Sequence, residues 1–290
     1  MNATIEHFDS NSNNYSKENQ TVISSVNLII CCMGLPLNGI VIWLLGFQIK
    51  RNPFTVLILN LAISDFGFII FAAIYSISNF IDPPFQSWVI FYLFDVMYIS
   101  GLFLLTVISI DRCVAVLFPM WYHCSRPKYL SPVVCALLWL FSFLLVGIGS
   151  NHKNLVFSYV PWDLDWIVTA VLCLPLITIS TLILFIKICL KSEQVKRGKL
   201  LVMILITLLC FLILTLPLYS YLFITLFLGT NYTSLSLQFL LYRNLCACLN
   251  SSINPVIYFL VGRKKQAQAK ESMKTIFQRV FKEDEVPGIR

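Results

Sequence analysis

The stretch Asn254-Pro255-Val256-Ile257-Tyr258 interrupts the last of seven apolar segments, and Asp111-Arg112-Cys113 ends the third. An Arg at the end of a membrane span and an Asn-Pro break inside another are costly in lipid, because hydrocarbon offers polar groups no hydrogen-bond partner. Such groups are tolerated mainly where they face the interior of a helix bundle or a water-filled cavity. The two motifs therefore predict a bundle of membrane helices with a polar interior.

The composition also predicts a membrane protein. Of the 290 residues, 58% are hydrophobic and 12% are charged, and the mean hydropathy is +0.80. A soluble domain rarely has this balance. A membrane-spanning helix needs about 20 apolar residues. Seven segments qualify as spans one to seven, and their short connections predict one all-α bundle: 22–47, 53–80, 88–118, 131–150, 164–190, 200–228 and 236–261.

The distribution of basic residues predicts the orientation. Lys and Arg follow spans one, three, five and seven, whereas the opposite loops offer little beyond Lys17 and Lys153. The positive-inside rule then places the N-terminus outside and the C-terminus in the cytoplasm. Anionic lipid facing these residues accounts for the net charge of +7, so no nucleic-acid partner is expected. Four sequons on the predicted outer side are candidate glycosylation sites: Asn2, Asn14, Asn19 and Asn231.

Three regions follow along the chain. Residues 1–21 form a polar extracellular tail without the basic and apolar segments of a signal peptide, so the first span is expected to act as the targeting signal. Residues 22–261 form the bundle. Residues 262–290 contain apolar side chains at helical spacing among basic ones, which predicts a short amphipathic cytoplasmic helix lying on the inner leaflet. The apolar positions are Met273, Ile276, Phe277, Val280 and Phe281.

Polar residues inside the spans are candidate functional residues. Asp65 is ionisable and stands in an otherwise apolar span two, and such a residue in a membrane helix indicates a functional site by default. Asn38 in span one and Asn250, Ser251 and Asn254 in span seven could supply its hydrogen-bond partners, and ordered water or a small cation could complete the cluster. The alternative is an inert polar contact between helices.

Two prolines lie inside predicted spans. Pro217 in span six and Pro255 in span seven each remove a backbone hydrogen bond, which predicts a kink in each helix. Two kinked helices beside a third helix that ends in Arg112 are typical of a bundle that moves.

In this order, the motifs resemble those of a rhodopsin-like G-protein-coupled receptor. The matching positions run through the whole chain: Asn38, Leu61-Ala62-x-x-Asp65, Asp111-Arg112-Cys113, Trp139, Pro217 and Asn254-Pro255-x-x-Tyr258. The runs 116–127 and 250–262 resemble the Mas-related receptor family. The resemblance implies a multi-pass plasma-membrane receptor that binds an extracellular ligand and activates heterotrimeric G proteins of the Gq or Gi type. It implies neither enzymatic activity nor a cofactor.

The resemblance also implies roles for individual residues. Arg112 would contact the G protein when the bundle opens, and Asp111 would restrain Arg112 in the resting state. Asp65 with Asn250, Ser251 and Asn254 would form a sodium and water pocket. Tyr258 would swing inward on activation, which makes Pro217 and Pro255 part of the same switch.

This chain departs from the common receptor pattern in three respects. Gly101 offers no side-chain oxygen near Asp65, which weakens the case for sodium. The segments 87–95 and 151–163 contain no Cys, so we expect no extracellular disulfide. Thr215 replaces the Trp that many receptors carry two residues before the proline of span six, and Arg197 stands where many carry an acid.

Helical geometry predicts where a ligand binds. At 1.5 Å per residue, Asp95 lies roughly 25 Å from Arg112, near the outer membrane edge, and Arg243 lies roughly 16 Å outward of Asn254. Phe94 shares the face of Arg112, Tyr98 lies about 40° from it and Asp95 about 100° from it. We therefore expect Phe94 and Tyr98 to line the bundle and Asp95 to lean toward a neighbouring helix.

The outer mouth of the bundle combines charged and aromatic residues, as ligand sites often do. A cationic ligand could pair with an acid there and stack on an aromatic ring, which favours a basic peptide or a small amine. The alternative is that Arg243 pairs with an acid of the receptor itself and that the aromatic residues form an interfacial belt. The candidates are Asp95, Asp163, Asp165, Arg243, Phe94, Tyr98, Trp162, Trp166, Tyr219, Tyr221 and Tyr242.

Two other classes of protein are weaker interpretations. A transporter or channel would predict internal repeats or interrupted helices at matching positions, and the sequence contains no such repeat. An intramembrane enzyme would need a nucleophile with a base, or a metal cluster, within the spans. The three histidines, His7, His123 and His152, lie outside the spans. Nucleotide exchange on a G protein would distinguish a receptor from a transporter that moves substrate without one.

Overall fold

The computed structural model describes residues 2–81, 87–127, 129–155, 168–190, 199–228, 232–262 and 273–281. Seven of the described helices are long and apolar enough to cross a membrane. The all-α bundle is therefore confirmed, and α1 to α7 correspond to spans one to seven. These helices are α1 (Asn2–Trp43), α2 (Pro53–Ser78), α3 (Trp88–Leu117), α4 (Leu130–Leu155), α5 (Leu174–Leu190), α6 (Lys199–Leu228) and α7 (Tyr232–Gly262).

Four shorter elements complete the described chain. A π-helical turn, Leu44–Gln48, continues α1, and a second one, Val168–Cys173, precedes α5. The short helix Pro119–Cys124, here called the loop helix, follows α3, and α8 spans Met273–Phe281.

Helix ends differ from the predicted spans in places. α1 begins at Asn2 and therefore includes residues of the predicted polar tail, and α4 continues to Leu155. The difference arises because apolar composition marks the part of a helix that suits lipid, whereas backbone hydrogen bonds can extend the helix beyond it. The predicted start of span five at residue 164 lies outside the described residues.

Local sequence explains why α2 begins at Pro53. The Asn52 side chain accepts a hydrogen bond from the Thr55 backbone N–H at 2.7 Å, and Thr55 Oγ1 accepts one from the Asn52 backbone N–H at 2.8 Å. This reciprocal capping box satisfies two donors at the helix end, and Pro53 suits the first helical position because it has no N–H to satisfy. Asn52 also donates to the Phe281 carbonyl at 3.0 Å, so the cap of α2 contacts α8.

Two clusters of buried apolar side chains hold the helices together. The larger one includes side chains of α1 to α8. The smaller one joins α1, α2, α3 and α7 through Ile30, Phe68, Phe94 and Cys248, among others. α4 contributes least, and its side chains Val133, Leu137, Leu140 and Leu144 are more than half exposed. An apolar face that points away from the protein is what contact with lipid tails requires.

The apolar face of α8 packs against the bundle. Ile276, Phe277, Val280 and Phe281 are each at most 2% exposed, so the amphipathic pattern is confirmed. The Phe281 ring lies 6.1 Å from that of Phe54. The bundle itself covers this apolar face, and the position of the helix on the inner leaflet stays a prediction.

Candidate functional site

The polar residues predicted to meet inside the bundle do meet. Asn254 Nδ2 donates to Asp65 Oδ2 at 2.9 Å, and both side chains are at least 96% buried. Asn38 Nδ2 donates to the carbonyl oxygens of Ser251 and Gly34 at 3.0 and 3.1 Å. The arrangement joins α1, α2 and α7, because a polar group in lipid gains most from a partner on a neighbouring helix.

Several buried oxygens around Asp65 have no hydrogen-bond partner within the described chain. They are the Oδ1 atoms of Asn38, Asn250 and Asn254. A Cβ atom on Gly101 would lie 3.3 Å from Ser64 Oγ and 3.8 Å from Asp65 Oδ1, so the glycine leaves space beside the carboxylate. Oxygen ligands around a carboxylate fit ordered water or one small hard cation such as sodium. The described residues contain no group of three or more His, Cys, Asp or Glu side chains that could hold a metal ion.

A narrow cavity of about 40 Å³ extends from this polar core toward Arg243. Asp65, Asn250 and Ser251 line one part of it, and Tyr98, Tyr219 and Arg243 line another. Apolar side chains, among them Phe68 and Phe211, form much of the remaining wall, and Thr215 lies there too. Its lining, apolar with a few convergent polar groups, is of the kind that small-molecule and peptide sites have, although the cavity itself is much smaller than such sites.

Arg243 lies at the end of this cavity, which we call the Arg243 end of the bundle. Its guanidinium carbon is 4.9 Å from the centre of the Tyr98 ring, and Nη2 is 3.9 Å from Asp95 Oδ1. The side chain of Arg243 is 5% exposed and that of Asp95 is 30% exposed. Arg243 therefore faces an acid of the receptor itself, as the alternative interpretation of the mouth expected. At 3.9 Å and with one partner partly in solvent, the ion pair is loose.

The other predicted mouth residues are distributed differently. Phe94 is not among the residues that line the cavity, and its ring packs against Phe68 at 4.9 Å and Tyr75 at 6.4 Å. Phe94 is 6% exposed and lies among buried side chains of α1, α2 and α7, so it faces the interior of the bundle as predicted, and its role in ligand binding stays a prediction. Tyr221 and Tyr242 are each 49% exposed and do not line the cavity. Asp163, Asp165, Trp162 and Trp166 lie outside the described residues.

The opposite end of the bundle, the Arg112 end, is organised around the Asp111 carboxylate. Its Oδ2 atom accepts hydrogen bonds from Arg112 Nη2 at 2.5 Å and from Arg112 Nε at 3.1 Å. The Tyr122 hydroxyl donates to the same oxygen at 3.1 Å. Arg126 Nη2 lies 2.7 Å from Oδ1 and also donates to Ser131 Oγ at 2.8 Å. Two cations thus share one carboxylate.

Arg112 is enclosed by further contacts. The Tyr122 hydroxyl hydrogen-bonds to both Arg112 and Arg126, and the Arg112 guanidinium lies 4.1 Å from the centre of the Phe54 ring. The residue is 2% exposed. The sequence interpretation gave Arg112 one partner, Asp111, and missed Tyr122 and Arg126. Arg126 lies beyond the loop helix, which ends at Cys124, so helical spacing could not have revealed this contact.

The family comparisons agree with this geometry. The family model for the 7 transmembrane receptor (rhodopsin family) matches residues 37–258. Mas-related G-protein coupled receptor member H of Rattus norvegicus is 36% identical over 97% of this chain and 90% of its own length. Member D of Macaca fascicularis is 38% identical over 91% of this chain and 86% of its own length, and Proto-oncogene Mas of Homo sapiens is 34% identical over 92% and 85%.

The chain belongs to the Mas-related G-protein-coupled receptors of the rhodopsin family. It is therefore a multi-pass receptor of the cell surface and not an enzyme, and its partners are an extracellular ligand and a G protein. The transporter or channel interpretation is no longer needed.

The structure also describes the predicted switch residues and most of the cysteines of this Mas-related receptor. Tyr258 is 2% exposed, and its ring contacts that of Phe281 edge-on at 6.2 Å. Pro217 and Pro255 lie inside α6 and α7, which continue on both sides of them. Of the nine cysteines whose side chains are described, none forms a disulfide.

Proposed function

We propose that this Mas-related receptor binds a basic peptide or a small amine at the Arg243 end and activates a Gq or Gi protein at the Arg112 end. The observation that carries the proposal is the contrast along the bundle. A cavity leads from Arg243 to the buried Asp65, whereas the opposite end holds the network of Asp111, Arg112 and Tyr122. The Arg243 end would then be extracellular and the Arg112 end cytoplasmic.

The positive-inside rule supports this orientation, since the basic residues follow spans one, three, five and seven. Glycosylation tests it. Enzymatic deglycosylation should shift the gel mobility of the wild type, and replacing Asn2, Asn14, Asn19 and Asn231 together by Gln should remove the shift. An N-terminal epitope tag should be accessible on intact cells and a C-terminal tag only after permeabilisation. The reverse pattern of tags would contradict the orientation.

Asp95 supports a cationic ligand. It is the acid that faces Arg243, it remains 30% exposed, and its ion pair with Arg243 is long at 3.9 Å. A ligand ammonium or guanidinium that forms a shorter, charge-assisted hydrogen bond to Asp95 can replace Arg243 there. Tyr98, which already accepts one cation on its ring, supplies an aromatic face for the same purpose. Asp163 and Asp165 join Asp95 in the proposal on sequence grounds alone.

One observation favours a second candidate, an anionic or zwitterionic ligand. Arg243 lines the cavity, whereas Asp95 is not among the lining residues. A ligand carboxylate that enters the cavity would meet the guanidinium first, and Arg suits carboxylates because its planar group donates two parallel hydrogen bonds.

A signalling panel decides between the two candidates. Cells expressing the receptor are challenged with basic peptides, small amines and anionic ligands, and calcium and cyclic AMP are measured with inhibitors of Gq and Gi. Asp95→Asn, Asp163→Asn or Asp165→Asn should weaken a cationic agonist by ~1–3 kcal/mol, because each removes a charged hydrogen-bond partner. Glu18→Gln, an exposed acid on α1, is the matched control. If all three variants leave potency unchanged, the cationic ligand is wrong and the second candidate stands.

A further inference from the structure

The helix α8 docks at the Arg112 end with its apolar face. Ile276, Phe277, Val280 and Phe281 are at most 2% exposed, whereas Lys274 and Thr275 on the other side are exposed. α8 contacts α7, α6 and the π-helical turn that ends α1. Its buried face belongs to the main apolar cluster of the receptor.

The surface beneath α8 includes Tyr258, a predicted switch residue, and Phe54, which contacts Arg112. The Phe281 ring contacts Tyr258 at 6.2 Å and Phe54 at 6.1 Å. Phe54 in turn lies 4.1 Å from the Arg112 guanidinium. One aromatic side chain of α8 is therefore two contacts away from Arg112 and directly against Tyr258.

Two polar contacts hold α8 in this position. Asn52 donates to the Phe281 carbonyl at 3.0 Å, which satisfies one of the free carbonyl groups at the end of the helix. Lys274 Nζ donates to Gln48 Oε1 at 2.9 Å near the start of α8. The helix is thus fastened at both ends, to α2 at one and to the end of α1 at the other.

We propose that α8 is a built-in competitor of the G protein and occupies the surface that the G protein must reach. The inference rests on the proposed coupling at the Arg112 end. A transducer that must reach Arg112 meets a side chain that is 2% exposed, and the neighbouring switch residue Tyr258 and Phe54 are 2% and 1% exposed. A groove that accepts the apolar face of one amphipathic helix can accept another of the same kind. The partner is therefore an amphipathic helix of the transducer, and it displaces α8.

Chain length supports displacement. α8 has nine residues, and isolated helices shorter than about 12–15 residues are marginal in water. Docking therefore supports the helix as well as burying it, and an undocked α8 can lose its helical form. Ten residues join Gly262 to Met273, so α8 binds within the same chain and at a higher effective concentration than a separate molecule would. The competitor is effective even if its own affinity is weak.

Removal of the apolar face of α8 is the first test. In purified receptor with G protein, Phe277→Asp combined with Phe281→Asp should raise guanine-nucleotide exchange without ligand several-fold, because the charged helix no longer docks. Thr275→Asp, on the exposed side of α8, is the control and should leave exchange at the wild-type level. Adding Arg112→Ala to the double variant should return exchange to background, which shows that the released activity passes through Arg112.

A matched pair at Gln48 tests the inference without disturbing the core. Gln48→Glu gives Lys274 an ion pair and should lower basal exchange, whereas Gln48→Lys repels Lys274 and should raise it. Each change should be about 1.5-fold to fivefold, the range expected for one exposed ion pair. Lys274→Ala in the Gln48→Glu background should cancel the decrease. If the double Phe variant does not reach the cell surface, this pair decides the question alone.

The outcomes separate this inference from the proposed coupling. A receptor that responds to agonist but keeps wild-type basal exchange in the double Phe variant overturns the inference and leaves the coupling intact. Reduced coupling at normal surface expression also overturns it, since α8 would then be part of the G-protein contact. If no G protein responds to the wild type or to any variant, with or without agonist, both the coupling and this inference are wrong.

Discussion

The two ends of this receptor are built from the same residue types with opposite results. Each end has a buried Arg, an acid and an aromatic ring. Arg112 lies 2.5 Å from Asp111, whose side chain is 11% exposed, whereas Arg243 lies 3.9 Å from Asp95, whose side chain is 30% exposed. A second cation, Arg126, shares the carboxylate of Asp111. The ion pairs of Asp111 at the Arg112 end are short, whereas the ion pair of Arg243 with Asp95 is long and partly exposed.

The difference supports the proposed places at which a small ligand and a large transducer act. A partly exposed ion pair at 3.9 Å is weak, because solvent and salt screen it. A single charged group can compete for it. At the Arg112 end, by contrast, the contacts of Asp111 and Tyr122 must be given up together with the docking of α8. That change demands the larger contact area that a protein partner offers.

The largest effect is expected from a substitution at the Arg112 end. Arg112→Ala should abolish G-protein signalling, because it removes the residue proposed to contact the G protein. Surface expression should survive, because Asp111 keeps Arg126 and Tyr122 as partners and no buried acid is left alone. Cell-surface labelling and agonist-induced nucleotide exchange measure the two quantities. Lys50→Ala, an exposed basic residue that follows α1, is the control. Normal signalling in Arg112→Ala would refute the assignment.

The next largest effect is a loss of stability, expected from a substitution in the polar core around Asp65, between the two ends. Asn254→Ala removes the hydrogen bond to Asp65 and should lower the stability of the receptor by ~1–3 kcal/mol, because a buried polar group loses its partner. Thermal unfolding in detergent measures it. The exchange of the two side chains in Asp65→Asn with Asn254→Asp should recover part of the loss. If the exchange is no better than the single variant, this hydrogen bond does not stabilise the bundle.

The next effect is a change in agonist potency, and its sign distinguishes the two ligand candidates at the Arg243 end. Arg243→Gln releases Asp95, so a cationic agonist should gain about twofold to fivefold in potency, as expected for loss of one loose competing pair. An anionic agonist should lose potency instead. Dose–response curves on expression-matched cells measure both. Tyr242→Phe, at the exposed neighbour of Arg243, is the control. No change with either kind of agonist would place the ligand away from Arg243.

Much of the fold and of the polar core could be predicted because lipid restricts the choices. Seven long apolar segments have few alternatives to helices in a membrane. Asp65 and Asn254 were predicted to meet because a polar group in a span must find a partner across a helix interface. In both cases the environment, and not a detail of side-chain packing, determines the answer.

The features that were missed depend on packing that no periodicity reveals. The amphipathic pattern of α8 identified the face that must be covered but not that Phe54 and Tyr258 cover it. Tyr122 and Arg126 lie in a connection, where hydropathy carries no signal. These residues needed three-dimensional coordinates.

The smallest effect is expected from the loss of one hydroxyl group in the Asp111 network at the Arg112 end. Tyr122→Phe removes the hydroxyl that contacts Asp111 and both guanidinium groups. The ring stays and keeps its positions 5.4 Å from Arg112 and 4.4 Å from Arg126. Asp111 also keeps both cations, so the closed state should lose only about 0.5–1 kcal/mol, the usual net value of one hydrogen bond.

Such a loss corresponds to a rise of about twofold to fivefold in the open population. We therefore expect basal nucleotide exchange in Tyr122→Phe to rise by that factor at equal surface expression. Trp121→Phe, at the neighbouring residue that is 45% exposed, should not change it. A basal level equal to that of the wild type would mean that the ion pairs of Asp111 close this end without Tyr122. A lower level would mean that the hydroxyl serves the open state, and the contrast between the two ends would then rest on Arg126 and α8.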